Sequence, residues 1–127
     1  MRYNRRRANF KTFALFFGES MIHESSFQSK LIKEIKKQYP GSVILKNDPN
    51  YIQGIPDWLI LFEDRWAVLE AKADETSRHQ PNQDYYVDIL NKMSYSSFVY
   101  PSNREQVLHE LQFALRGYRP TRIPRRI

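Results

Sequence analysis

Asp57, Glu70 and Lys72 are the three residues of this chain whose types and spacing could do chemistry together. They lie in the stretch 54–72, where two apolar runs flank the polar pair Glu63-Asp64. If that pair is a two-residue hairpin turn, Phe62 pairs with Arg65, Leu61 with Trp66, and Asp57 lands opposite Glu70. Directly opposed cross-strand residues have Cβ atoms about 5 Å apart, and two like charges there repel unless a cation sits between them. Lys72 is two residues beyond Glu70 and so points to the same sheet face. Carboxylate oxygens are hard ligands suited to Mg²⁺ or Mn²⁺. Such an ion polarises a phosphoryl oxygen and acidifies a bound water, while the Lys72 ammonium could stabilise charge on a phosphate or help position the attacking water. Taken alone, Glu-x-Lys is a solvated pair at a strand end and Pro-Asp an ordinary turn. Matched in register at the end of two apolar strands, they favour a site.

The elements that must position these residues follow from periodicity. A first helix over about 22–39 has an apolar stripe of Phe27, Leu31, Ile32 and Ile35, ended by Pro40-Gly41. Glu24 shares that stripe, and a core-facing carboxylate needs a partner; a metal site would supply one, as would a first-turn position at the helix N-terminus. A strand at 42–47 leads into a turn-rich loop, 48–54. The hairpin strands cover about 57–62 and 65–72. Asp57, Leu59, Leu61, Trp66 and Val68 share one face, and Trp58, Ile60, Phe62, Ala67, Leu69 and Ala71 the other. Both faces are apolar, so both are expected to be covered by helices. A second helix over about 82–93 has the stripe Tyr86, Ile89, Leu90 and Met93, and a fourth strand fits 95–100. Ser102-x-x-Glu105 reads as a capping box for a last helix to about 115, with Val107, Leu108, Leu111 and Leu115 inward and Gly117 as its stop. The fold class is α/β, a central sheet flanked by helices in the order α-β-β-β-α-β-α.

Composition narrows the function. A chain of 127 residues suits one domain. Cysteine is absent, which excludes disulfides and thiolate metal sites. Residues 1–20 carry five Lys/Arg and one acid, 116–127 five Arg and no acid, and 21–115 ten Lys/Arg against thirteen acids. The net charge of +6 therefore belongs to the two ends. Basic arms on an acidic core fit a polyanion binder whose centre holds metal, and Arg5, Arg6, Arg7, Lys11, Arg119, Arg122, Arg125 and Arg126 are the candidate nucleic-acid contacts. No run reaches the ~20 apolar residues of a membrane span. The apolar part after Arg5-Arg6-Arg7 is too short for a secretory signal and lacks its cleavage pattern, so a cytoplasmic, non-secreted protein is expected. His23, His79 and His109 lack metal-ligand spacing and read as surface residues. Tyr51, Tyr85 and Tyr95 could stack on bases, although core or rim packing explains each. Nothing marks a small-molecule cofactor: there is no Gly-rich phosphate loop.

Gly54-Ile55-Pro56-Asp57 followed by Glu70-Ala71-Lys72 resembles the PD-(D/E)xK nuclease superfamily, and among its members the virus-type replication–repair nucleases (VRR-NUC), phage endonuclease I and archaeal Holliday-junction resolvases. Gln83, Tyr86 and Leu90 fit the VRR-NUC spacing after the Glu-x-Lys strand. The similarity spans about 21–116, with 1–20 as a basic aromatic arm and 117–127 as a basic tail. It implies a restriction-endonuclease-like core with a mixed sheet. It also implies a Mg²⁺-dependent endonuclease acting on DNA, in the cytoplasm or that of a phage-infected host. Asp57, Glu70 and the Ala71 carbonyl would hold the metal, Glu24 a second metal or its water, and Lys72 would assist the attack. Gln83 would contact the lysine, the water or a phosphate. The loop 73–79 departs from the pattern: it carries Asp74 and Glu75 where the family is Gly-rich and basic. With about a hundred residues consumed by the core, structure-selective cutting of branched DNA by a symmetric homodimer is the favoured expectation. A site-specific homing- or restriction-type nuclease and a catalytically silent DNA-binding module are the alternatives.

Overall fold

A computed structural model of the protein describes residues 19–117, with side chains from residue 24 onward. The elements are α1 (Glu19–Gln38), β1 (Val43–Lys46), β2 (Trp58–Phe62), β3 (Arg65–Ala71), α2 (Gln83–Met93), β4 (Ser96–Val99), a 3₁₀ turn (Pro101–Asn103) and α3 (Arg104–Arg116). The four strands form one mixed sheet in the order β1-β2-β3-β4, antiparallel except for the parallel pair β3–β4.

The hairpin has the expected register. Phe62 pairs with Arg65, Leu61 with Trp66 and Trp58 with Leu69. Glu63 takes a left-handed φ of 55° to close the two-residue turn, a conformation that matches the twist of the flanking strands.

One face of the sheet carries the core. Ile60, Phe62, Ala67, Leu69 and Ala71 meet Leu31, Ile35 and Tyr39 of α1, Val99 of β4, and Val107, Leu108, Leu111 and Leu115 of α3. The i, i+4, i+8 spacing of Leu31, Ile35 and Tyr39 puts them on one side of α1. Gly117 ends α3 at φ 57°, with its N–H donated to the Phe113 carbonyl at 2.9 Å, a conformation that favours glycine. Arg116, exposed at the end of α3, closes over the rim of this core: it donates to the Gln38 carbonyl at 2.6 Å and lies over the Tyr39 and Phe62 rings at 4.9 and 5.1 Å.

The opposite face differs from expectation. α2, the crossover that a parallel β3–β4 pair requires, runs against β3 and β4 and contributes nothing to the core cluster. Its buried residue is Gln83, and Met93 of its apolar stripe is 64% exposed. The β1–β2 half of this face is not covered by a described helix: Val43, Leu45 and Leu61 are exposed. A single eleven-residue helix is too narrow to cover four strands.

The capping box at Ser102 is also corrected. Pro101 opens a 3₁₀ turn, the Asn103 side chain accepts the Tyr100 N–H at 2.7 Å, and the Ser102 hydroxyl donates to the Glu75 carboxylate instead. Among the described residues, no helix is long and apolar enough to cross a membrane.

Candidate active site

The hairpin carries its two acids to one end of the sheet. One rung beyond the Trp58–Leu69 pair, the Asp57 backbone N–H donates to Glu70 Oε1 at 3.1 Å. The Lys72 Nζ lies 3.7 Å from Glu70 Oε2. Glu70 and Lys72 are 4% and 6% exposed, so this pair interacts with little screening by water. Ala71 pairs with Val99 on the last rung of β3, which puts its carbonyl between the two functional side chains in the chain.

Burial and mutual repulsion govern the electrostatics. Burial, then the Asp57 charge, push the Glu70 carboxyl up to about 7, against the opposing pull of Lys72 and of the Asp57 N–H. Burial raises Asp57 too, although Lys46 and Lys72 pull it down. Glu24, on the first turns of α1, is raised by burial and by Asp57 and lowered by Lys72, by a hydrogen bond from the Ala73 backbone and by Lys46. Glu24, Asp57 and the Glu70–Lys72 pair, three segments distant in sequence, thus share one electrostatic neighbourhood.

The donor set fits a hard divalent cation. The buried Glu70 and half-buried Asp57 carboxylates together carry more negative charge than Lys72 offsets, which adds to the burial that holds the Glu70 proton to about neutral pH. Among the described residues no group of three His, Asp or Glu side chains converges closely enough to hold an ion. The hard oxygen donors that could hold one are Asp57, Glu70 and the Ala71 carbonyl, and Mg²⁺ is an ion that keeps several waters and uses one or two carboxylates. Glu24 stands outside that tight pair.

Gln83 is brought beside the site by its loop. It is buried, not the solvated helix-start residue that its sequence position also allowed. Its Oε1 accepts the Gln80 N–H at 2.8 Å, so half of its amide is committed to the segment that crosses Lys72. That segment holds the ammonium: Lys72 Nζ donates to the Arg78 carbonyl at 3.1 Å. His79 is no free surface residue. Its ring stacks on Phe98 at 4.0 Å, with Nδ1 2.6 Å from Asp84 Oδ1 and Nε2 3.3 Å from the Tyr100 hydroxyl. His109 is exposed, as expected. Tyr51 and Tyr85 are 86% and 60% exposed, whereas Tyr95 packs on the core and donates its hydroxyl to Glu110 at 2.6 Å. The basic candidates Arg5, Arg6, Arg7, Lys11, Arg119, Arg122, Arg125 and Arg126 lie outside the described residues.

Three residues take positioning roles that the sequence did not assign them. Asn47 grips the strand that presents Asp57: its N–H donates to the Asp57 carbonyl at 2.7 Å and its Nδ2 to the Pro56 carbonyl at 2.8 Å. Gly54, at φ 92°, lies so close to the start of α2 that a Cβ there would meet Asn82 Cβ at 2.6 Å and the Pro81 carbonyl oxygen at 2.7 Å. Lys46 lies 5.3 Å over the Trp58 ring and draws down the carboxyls of Asp57 and Glu24. The turn-rich character of 48–54 and the motif Gly54-Ile55-Pro56-Asp57 pointed to Gly54, though not to its contact with Asn82; Asn47 and Lys46 were legible as the end of a strand and nothing more.

No family model matches this chain, and neither a curated protein nor a solved structure matches it.

Proposed function

We propose that this chain is a Mg²⁺- or Mn²⁺-dependent DNA endonuclease. The observation that carries the reading is the opposition of half-buried Asp57 to buried Glu70 across the hairpin, with the buried Lys72 ammonium 3.7 Å from Glu70. Two like-charged groups held together in a low-dielectric end of a sheet weaken the fold, and the arrangement makes chemical sense when a cation joins them. A bound Mg²⁺ supplies Lewis acidity toward a phosphoryl oxygen and lowers the pKa of a water.

The chain's own residues do the rest. Asp57 and Glu70, with the Ala71 carbonyl, are the ligands. Lys72, fixed between Glu70 and the Arg78 carbonyl, presents its remaining donor to the scissile phosphate and stabilises the charge that develops there. Glu24 orients water from the edge of the site and helps to accept its proton. Gln83 secures the loop that crosses Lys72. The restriction-endonuclease-like fold belongs to this same proposal: the β3–β4 pair, the α2 crossover and the two core-side helices support it, in the chain order α-β-β-β-α-β-α.

The substrate we favour is branched DNA, cut by a symmetric dimer, because the described residues contain no separate recognition domain and basic arms read shape and phosphates. The test incubates the protein with a four-way junction, a linear duplex of the same sequence and single-stranded DNA, with and without Mn²⁺. Mn²⁺-dependent paired cuts near the crossover support the reading. A unique cut in the linear duplex would replace it with a site-specific nuclease, and no cleavage of any substrate would leave a silent DNA-binding module.

A further inference from the structure

A groove on the outer side of α1 has chemistry that the carboxylate site does not use. It has a volume of about 360 Å³ and is lined by Ser25, Gln28, Ser29, Ile32, Lys33 and Lys36 of α1 and by Trp58 of β2. Among the described residues no acid lines it. Lys46, the cross-strand partner of Trp58 with its Nζ 5.3 Å from that ring, places a third ammonium beside the groove.

The helix has three faces here. At 3.6 residues per turn, the core stripe of Leu31 and Ile35, the groove side and the side bearing Lys30 and Lys37 lie about a third of a turn apart. Glu24, seven residues before Leu31, falls on the core stripe itself, and Ser25 begins the groove side. Asp57 and Trp58 are adjacent at the start of β2 but face opposite sides of the sheet, and the link between groove and carboxylate site is Lys46, which pairs with Trp58 and whose charge acts on both Asp57 and Glu24. From Ser25 to Lys36 the groove follows about 16 Å of helix axis, at ~1.5 Å per residue. That is the rise of about five phosphates along one strand of a duplex, at ~3.4 Å each.

We infer that this groove binds the phosphodiester backbone of a nucleic-acid strand flanking the bond held at Asp57, Glu70 and Lys72. Lys33, Lys36 and Lys46 supply the charge, and Ser25, Gln28 and Ser29 supply hydrogen bonds of the kind that fix register on phosphate oxygens. Lys46 also faces Asp57 electrostatically, so it joins the bound strand to the reacting end. The arrangement assigns affinity to the folded domain itself, in addition to the basic ends. This inference rests on the nuclease reading for its substrate, yet it is tested by binding alone.

The full chain, in EDTA so that no strand is cut, is titrated with fluorescein-labelled duplex and single-stranded DNA across a salt series. Two double variants remove equal charge from the same helix: Lys33→Gln with Lys36→Gln in the groove, and Lys30→Gln with Lys37→Gln on the third face. The groove pair should lower the slope of log affinity against log salt by about 1.8 for duplex, at about 0.9 per neutralised phosphate. The third-face pair should leave the slope unchanged. Equal behaviour of the two pairs overturns the groove while leaving the nuclease reading intact. Failure of the unaltered chain to bind any DNA overturns both. A polyglutamate peptide that competes as well as DNA, charge for charge, assigns the groove to an acidic protein and also overturns the inference.

Discussion

Replacing Glu70 by glutamine should stabilise the metal-free protein at neutral and alkaline pH while destroying its response to metal. The Glu70 carboxyl is raised from its ordinary 4.5 to about 7 by burial and by Asp57. An acid whose folded-state pKa lies above its unfolded one binds more protons folded than unfolded, so stability falls as pH rises between the two values. The fall for Glu70 runs from about pH 4.5 to about pH 7 and then levels off. At 1.36 kcal/mol per pH unit it amounts to about 3 kcal/mol. Glutamine is isosteric with the protonated acid and can still accept the Asp57 N–H. It cannot ionise, so the fall attributable to Glu70 disappears. Some of the gain is offset because Lys72 loses its counter-ion and keeps only the Arg78 carbonyl.

Urea unfolding in EDTA at about pH 4.5 and about pH 8 measures this directly. The variant should match the parent at the lower pH and exceed it by about 1–3 kcal/mol at the higher. Mn²⁺ at a hundred times its Kd should then stabilise the parent by about 2.7 kcal/mol and leave the variant unmoved. A variant less stable than the parent at about pH 8 without metal would refute the reasoning: Glu70 would then be a paired structural carboxylate, and its opposition to Asp57 would not mark a cation site.

Three further outcomes are expected. Asp57→Ala should lose Mn²⁺ binding and DNA cleavage together, whereas Lys72→Ala should lose about 10²–10³ in cleavage rate and still bind Mn²⁺ in calorimetry, since an ammonium has no lone pair to donate; normal Mn²⁺ affinity in Asp57→Ala would sink the ligand assignment. Gly54→Ala combines a left-handed φ of 92° with overlap onto Asn82 and Pro81, so it should destabilise by about 2–4 kcal/mol, and a change in urea midpoint equivalent to less than about 0.5 kcal/mol would show that this approach is not tight. Removing residues 1–18 and 118–127 takes away five and four basic residues and should lower the salt slope of DNA binding by about 0.9 for each phosphate that is no longer neutralised; an unchanged slope would make the ends bystanders.

The sequence carried the sheet well because alternation is a strong signal. A slip of one residue would turn Asp57 and Glu70 to opposite faces, so the Glu63-Asp64 turn and the apolar pattern together determine the register, and Phe62 does pair with Arg65. The stripe on α1 and the inward residues of α3 were legible for the same reason. What stayed hidden was set by contacts between segments distant in the chain. Nothing local says that the Asn47 amide reaches Pro56, or that Gly54 meets Asn82. The burial of the open sheet face was overread: Val43, Leu45 and Leu61 alternate like core residues, yet how far a helix covers them depends on where α2 lies, which periodicity does not encode. His79 read as a surface residue because its partners, Phe98 and Tyr100, lie some twenty positions away.

The same contacts that build the candidate site also dock the crossover. A helix whose one buried side chain is the polar Gln83 gains little from apolar burial, so α2 needs other anchors. They are the His79 ring between Asp84 and Phe98, the Gln80–Gln83 pair, the Lys72 ammonium on the Arg78 carbonyl, and the close approach of Gly54 to Asn82. Every one of them lies at the end of the sheet where Asp57 and Glu70 meet. The loop 73–82 therefore has two tasks that cannot be separated: it completes the parallel β3–β4 pairing and it fixes Lys72 against Glu70. This explains why a loop rich in Asp and Glu can stand here. Asp74 and Glu75 are spent on the loop's own order, with Asp74 accepting from Thr76 and Glu75 from Ser102, and so they hold the crossover without adding ligands to the carboxylate pair.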